Sequence, residues 1–253
     1  MHRTALALSP HLDDAIFSCA GTLARLADGG WRVVVATLFT ATVPDPRGFA
    51  LACQLDKGLG PEVDYMALRR AEDAEACRLI GAEAVWLPFR EAPHRGYASA
   101  PELFGPLRTD DRIGRDLGLA IRELVIGHAP DLILAPQAVG GHVDHIQVVT
   151  ALGEADIPGP IAWWRDWPYA SRSAPAEPFA DRMAALREIP VELNPDALRR
   201  KREACRAYPS QLGFQFGGPA GLDRRLAEAG TTERFRANRR TAAMLPGKIE
   251  GAA

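Results

Sequence analysis

Four short apolar runs, "ALALS" (5–9), "WRVVVATLFT" (31–40), "EAVWLPF" (83–89) and "DLILAPQA" (131–138), alternate with stretches of helical spacing, and this alternation restricts the available folds more than any other feature. A run that is apolar on both faces has no side to give to water, so it belongs in a sheet covered above and below. Between the runs, Ile16, Leu23 and Leu26 mark a helix over 14–27, "LRRAEDAEACRLIGA" (68–82) is amphipathic, and a third helix over 111–128 stops before Pro130. Strand and helix in turn imply right-handed crossovers and an α/β fold: a Rossmann-like three-layer sandwich with a mostly parallel central sheet and helices on both faces. Residues 42–64, rich in Pro and Gly, read as a loop, and residues 90–109 as a second irregular stretch. After residue 160 the pattern weakens: "IAWWRDWPYA" and "EIPVEL" are candidate strands and "NPDALRRKREACRAY" a proline-started helix. The expectation is one domain over 1–253, with residues from about 160 onward as its C-terminal extension.

Composition removes several function classes. A net charge of -2 offers no field for gathering phosphates, so nucleic acid is not an expected partner. No apolar stretch reaches the roughly 18 residues that a membrane span requires, and the N-terminal run is interrupted by His11, Asp13 and Asp14 too early for a signal peptide. Four widely spaced cysteines with no CxxC pair fit reduced thiols, hence a soluble protein of the cytoplasm. The first strand is not followed by GxGxxG, which takes the main support from a dinucleotide site.

Two polar clusters stand where such sheets hold ligands, just past the carboxyl ends of strands. "SPHLDD" (9–14) follows the first strand, and "GGHVDHIQV" (140–148) follows "DLILAPQA". His11 and Asp14 are three residues apart, one side of a helical first turn, and His142 and His145 repeat that spacing. Gly140 and Gly141 permit a sharp turn and close backbone approach. Together the clusters can offer two histidines and an aspartate to one metal ion and leave Asp13 and His142 uncommitted. Three protein ligands with one open position is the pattern of catalytic zinc. Asp13 then suits a general base, and a protonated His142 suits stabilisation of an oxyanion and protonation of a leaving amine. The plainer reading is that the aspartates cap a helix and the histidines bond to loop backbone.

"PHLDD" with "HVDH" resembles the PIG-L/LmbE-like family of zinc-dependent N-acetylglucosamine deacetylases and related amidases. "LRRAEDAEACRLIGAEAVWLPF", "KREACRAYPSQ" (201–211) and "ERF" (233–235) add further points of similarity. The resemblance implies that His11, Asp14 and His145 bind zinc, or another divalent ion such as Fe2+, with Asp13 as base and His142 as the acid or oxyanion-stabilising group. It implies a supporting role for Asp144 in orienting a histidine, and places Arg69 at substrate hydroxyls, although the adjacent Arg70 competes for that place and a surface pair of Arg69 with Glu72 or Asp73 is the alternative. The chain departs from the family where Leu12 and Val143 replace the motif prolines, where "REAPHRGY" (90–97) replaces a rim Asp-Gly so that Glu91 is the substitute, and where no tyrosine precedes "HVDH".

His94 and Tyr97 lie in a long loop expected to border the pocket, with exposure to solvent as the default. Trp163, Trp164, Trp167 and Tyr169 have faces on which a sugar ring can stack, but read first as core or interface aromatics. The arginines of "LRRKREACR" read as a solvated helix face, and His2 and His128 as a terminal and a helix-end residue. The activity implied is metal-dependent removal of an N-acetyl group from an N-acetylglucosamine-containing small molecule. The alternatives are an amidase taking a larger acyl group or a thiol-sugar conjugate and, from another class, a non-catalytic nucleotide-binding Rossmann module. A homo-oligomer is compatible with all three.

Overall fold

The computed structural model describes residues 3–155, 157, 159–172 and 174–247; His2 lies outside the described residues. In chain order the elements are β1 (Thr4–Ser9), α1 (Asp14–Asp28), β2 (Arg32–Thr37), α2 (Gly48–Leu55), α3 (Tyr65–Ile80), β3 (Ala82–Trp86), α4 (Ala100–Leu103), α5 (Ile113–His128), β4 (Leu132–Pro136) and α6 (Val143–Glu154). Then follow β5 (Ile161–Trp164), α7 (Ala180–Ala184), β6 (Arg187–Glu192), α8 (Pro195–Arg206), α9 (Pro209–Phe216), α10 (Pro219–Ala229), β7 (Thr232–Ala237) and α11 (Arg239–Ala242).

The strands form one sheet in the order β3-β2-β1-β4-β5-β7-β6. β3, β2, β1, β4 and β5 run parallel, whereas β7 pairs antiparallel with both β5 and β6. Alternate residues of the central strands feed two separate cores. Ala5, Ala7, Val33, Val35, Leu132 and Leu134 pack with α1, α3 and α8, while Leu6, Leu8, Val34, Ala36, Ile133 and Ala135 pack with α5 and α6. Each large aliphatic side chain buried in this way contributes about 1.5–3 kcal/mol, which is why the runs read from sequence are continuous rather than alternating. No helix among the described residues is long and apolar enough to cross a membrane.

The structure corrects several local expectations. The 42–64 segment carries α2, and α3 starts at Tyr65 because Asp64 caps it, accepting the Ala67 N–H at 2.9 Å, before the apolar pattern begins. The 90–109 stretch holds a helical turn at Ala92–Arg95 and then α4. Within "IAWWRDWPYA" only Ile161–Trp164 is strand; Trp163 and Trp164 enter opposite cores, as expected of core aromatics. Tyr97 is buried rather than exposed, its hydroxyl donating to Asp111 at 3.1 Å. Arg199 pairs with Asp196 and Glu203, and Arg202 and Arg206 with Asp223, giving the solvated face. His128 ends α5, and all four cysteines are free.

Helix α1 is not one continuous helix. Its backbone leaves helical geometry at Cys19 (φ -142°, ψ 19°), so the segment beginning at Asp14 is barely more than one turn long.

Candidate metal centre and active site

In the strand order, chain connectivity reverses direction between β1 and β4, and loops leaving neighbouring strands there diverge to opposite faces and open a crevice. The two polar clusters are the loops at that point. His11, Asp13 and Asp14 follow β1, and His142, Asp144 and His145 follow β4. Gly140 adopts φ +99°, and a Cβ there would come within 2.7 Å of Tyr169 Cβ, so the glycine lets the β4 loop close against the loop after β5.

His11, His142 and His145 are buried and offer nitrogen atoms within 4.8 Å of one another. Asp14 joins them more tightly: its Oδ2 lies 3.1 Å from His11 Nδ1 and 3.1 Å from His145 Nε2. The far nitrogen of each ring is already committed. His11 Nε2 is 2.9 Å from Asp144 Oδ2, and His145 Nδ1 is 2.8 Å from Asp166 Oδ1. A proton held on each far nitrogen leaves the near nitrogens as lone pairs turned toward a carboxylate oxygen, itself an acceptor. His145 Nε2 accordingly has no hydrogen-bond partner. Three converging acceptors repel each other unless a cation sits among them, and two imidazoles with one carboxylate is a donor set that suits zinc. Without an ion, protons on the imidazoles meet the same need. Burial lowers both imidazoles, but Asp14, with Asp144 beside His11 and Asp166 beside His145, more than reverses it, lifting His145 to about 9 and His11 well above its usual range. Burial raises Asp14, and the facing imidazoles hold it below the ordinary carboxylate range. The centre attracts positive charge.

Asp144 orients His11, and its own oxygens are held by the Ala92 N–H at 3.1 Å and by Arg95 at 2.7 Å. Asp166 performs the same service for His145 and accepts the Gln137 and Val139 N–H groups at 3.1 and 3.0 Å. The sequence does not mark Asp166, although its place just past the carboxyl end of a buried strand is a signal of the same kind as that of His11 and His142.

Asp13 makes no side-chain cap to the helix it precedes. Its Oδ2 accepts from Gln215 Nε2 at 3.0 Å and its Oδ1 is 3.6 Å from Arg69. Burial drives its pKa up to about 7 against the opposing pull of Arg69. His142 differs from the imidazolium expected from sequence. Its Nδ1 accepts the Asp144 N–H at 3.2 Å as a helix cap, it is in no ion pair among the described residues, and burial with the neighbouring His11 pushes its pKa to about 3. It is a neutral ring whose remaining proton is on Nε2.

Arg69, not Arg70, reaches the site. It pairs with Glu91 at 2.6 Å and donates to the Leu12 carbonyl, whereas Arg70 turns to Thr40 and Thr42. The surface pair of Arg69 with Glu72 or Asp73 is absent: Glu72 accepts from Ser210, and Asp73 from Trp86 and Tyr208. Glu91 and the half-buried His94 both line the site cavity, which has a volume of about 360 Å³. Its aromatic lining includes Tyr65, Phe104, Tyr169 and Phe214, of which the sequence singles out only Tyr169, and that first as a core or interface aromatic. Tyr169 packs its ring 5.4 Å from that of His145, so a tyrosine does reach the centre, from the loop after β5.

Residues 6–155 match the family model described as PIG-L, GlcNAc-PI de-N-acetylase. The chain belongs to the PIG-L family. Over 170 residues it is 38% identical to the 2'-N-acetylparomamine deacetylase of Streptomyces fradiae, a match covering 66% of this chain and 58% of that protein, so the chain spans less than two thirds of its relative's length. Among solved structures it resembles a triple mutant of a deacetylase of the teicoplanin biosynthetic pathway, with TM-score 0.75, 26% identity and coverage of 92% of this chain and 97% of that one. It shares the fold of the N,N'-diacetylchitobiose deacetylase of Pyrococcus horikoshii at TM-score 0.58 and 20% identity, over 92% of this chain and 83% of that one.

Proposed function

We propose that this PIG-L family protein is a zinc-dependent N-deacetylase acting on an N-acetylated amino sugar or a small metabolite that carries one. The observation that carries the reading is Asp14 Oδ2 at 3.1 Å from two imidazole nitrogens whose opposite nitrogens are tied to Asp144 and Asp166. His11, Asp14 and His145 would hold the ion. A divalent cation there supplies Lewis acidity, which lowers the pKa of a water and polarises an amide carbonyl.

The chain's own groups perform the remaining work. Asp13, held by Gln215 and facing Arg69, takes the proton of the attacking water and returns it to the leaving nitrogen, a role suited to a carboxyl with a pKa near neutrality. His142 donates a hydrogen bond from its Nε2–H, without giving up the proton, to the oxygen that gains charge as the amide carbon becomes tetrahedral, and a neutral donor suffices for this. The Arg69–Glu91 pair presents both a donor and an acceptor to sugar hydroxyls, and the aromatic walls provide faces on which a sugar ring stacks. The deacetylases among its relatives support this substrate class.

A cavity of about 360 Å³ exceeds what an acetylated monosaccharide fills, which favours, as a second reading within the same chemistry, a longer acyl chain or a larger conjugate. The test is acetate or fatty-acid release from a panel of N-acyl glucosamines and aminoglycosides by metal-loaded protein. Turnover of none of these amides, together with no bound metal after zinc supplementation, would leave the non-catalytic module as the answer.

A further inference from the structure

The two C-terminal segments that resembled the family, "KREACRAYPSQ" and "ERF", do not line the metal centre through Lys201 or Glu233. These two residues meet instead at the break in α1. An unbroken helix would join the Thr22 N–H to the Ser18 carbonyl. Here the Thr22 N–H donates to Glu233 Oε2 at 2.7 Å and the Gly21 N–H to Glu233 Oε1 at 3.0 Å. The Ser18 carbonyl accepts from Lys201 Nζ at 3.4 Å, and Lys201 closes the arrangement with Glu233 Oε1 at 2.7 Å. The carboxylate of β7 thus caps the start of the second half of α1, and the ammonium of α8 caps the end of the first half. The side chains of Lys201 and Glu233 are 12% and 2% exposed, so neither bond is diluted by water.

The first half of α1 carries Asp14 at its start and Ser18 at its end. Ser18 is a junction: its hydroxyl accepts the Trp167 N–H at 3.1 Å, one residue after the Asp166 that orients His145. Just past the break, the bare glycine at 21 admits Leu193, since a Cβ there would stand 2.4 Å from Leu193 Cδ1. A single turn of helix has too few internal bonds to fix its own direction. Its near end is held by the His11 N–H on Asp14 Oδ2 at 2.8 Å and the Ala15 N–H on Ser9 Oγ at 3.0 Å, and the second point that fixes its aim is what holds its far end.

We infer that Lys201 and Glu233 are positioning residues: spliced into the broken helix, they set where the short first half of α1 presents Asp14 relative to His145, and hence the geometry of the metal centre. This rests on the metal-centre reading above. The pair acts through backbone, touching neither substrate nor ion.

Cobalt(II) titration of the metal-free protein tests it, with circular dichroism confirming that each variant is folded. Glu233→Gln and Lys201→Met are each expected to weaken cobalt binding at least tenfold and to change the visible ligand-field spectrum, with Lys201→Arg restoring the wild-type spectrum. Leu117→Ala, in the opposite core, provides a destabilised comparison whose cobalt spectrum matches wild type. If the splice variants lose thermal stability but keep the wild-type cobalt affinity and spectrum, as Leu117→Ala does, the positioning role is overturned and the pair is a support of the fold. A wild-type protein that binds no cobalt overturns the metal-centre reading, and the splice inference with it. Should Glu233→Gln fail to fold, Lys201→Met alone decides, since Glu233 then keeps both helix N–H groups.

Discussion

Replacing Asp166 with asparagine separates the stability of the site from its chemistry. In the native protein Oδ2 accepts the Gln137 and Val139 N–H groups, and Oδ1 faces His145 Nδ1 at 2.8 Å. An asparagine keeps one oxygen, which the two backbone donors require, so those bonds survive as neutral ones. Charge-assisted bonds contribute about 1.5–3 kcal/mol and neutral ones about 0.5–1.5, so the loss of stability is modest, about 1–3 kcal/mol. The amide NH2 then points at His145 Nδ1 and demands an acceptor there. That moves the ring proton to Nε2, aimed at Asp14 Oδ2 only 3.1 Å away, where it satisfies the carboxylate in place of a metal ion. Losing such an orienting partner costs about 10–100-fold in metal affinity, and the tautomer change places Asp166→Asn at the upper end. Competition for zinc against a chromophoric chelator measures the affinity, and nitrogen-15 shifts of the imidazole report the tautomer. A folded Asp166→Asn protein with zinc affinity within threefold of wild type would refute the argument that a fixed tautomer builds this centre.

Three further outcomes are expected. Asp13→Ala retains zinc by metal analysis and loses turnover by at least about a hundredfold, in line with the usual contribution of a general base, whereas Asp14→Ala loses both; an Asp13→Ala enzyme as active as wild type removes the base assignment. With Cys19, Cys77 and Cys205 buried, and burial pushing the Cys205 thiol up to about 12, a thiol reagent at pH 8 should label only the half-buried Cys53 in the folded protein and all four cysteines after unfolding; fast labelling of a second site in the native state contradicts the packing. For Lys201, burial lowers the pKa but Glu233 more than reverses it, so the folded value lies above the unfolded one. Its contribution is complete below the unfolded value of about 10.4 and fades as pH rises through the folded one. Urea unfolding at pH 9.5 and 11 should show less alkaline loss of stability in Lys201→Met than in wild type, and equal losses count against the pair.

The α/β architecture, and the strand ends at which the two polar clusters stand, are readable one segment at a time. "ALALS" and "DLILAPQA" are apolar on both faces because both faces are covered, and that is a property of each segment that can be read locally. The convergence of His11, Asp14 and His145 was legible for a related reason: a histidine or aspartate directly after a buried strand emerges at the end of the sheet whatever the rest of the chain does. The start of α3 and the helix α2 were less legible, since a cap such as Asp64 and a short helix between prolines carry little periodicity.

What the tertiary structure alone decided is everything that depends on which side chains meet across long separations. Asp166 and Asp144 each take one histidine, Arg69 rather than Arg70 turns inward, and Tyr169 arrives from the loop after β5. His142 is neutral because it is buried beside His11 and caps its own helix, a charge state that no local pattern encodes. The break in α1 and its repair by Lys201 and Glu233 join residues more than 180 positions apart. Periodicity records how a segment partitions between water and core, which is set one residue at a time; hydrogen-bond partners and pKa values are set by distances between segments, and those exist only once the chain has folded.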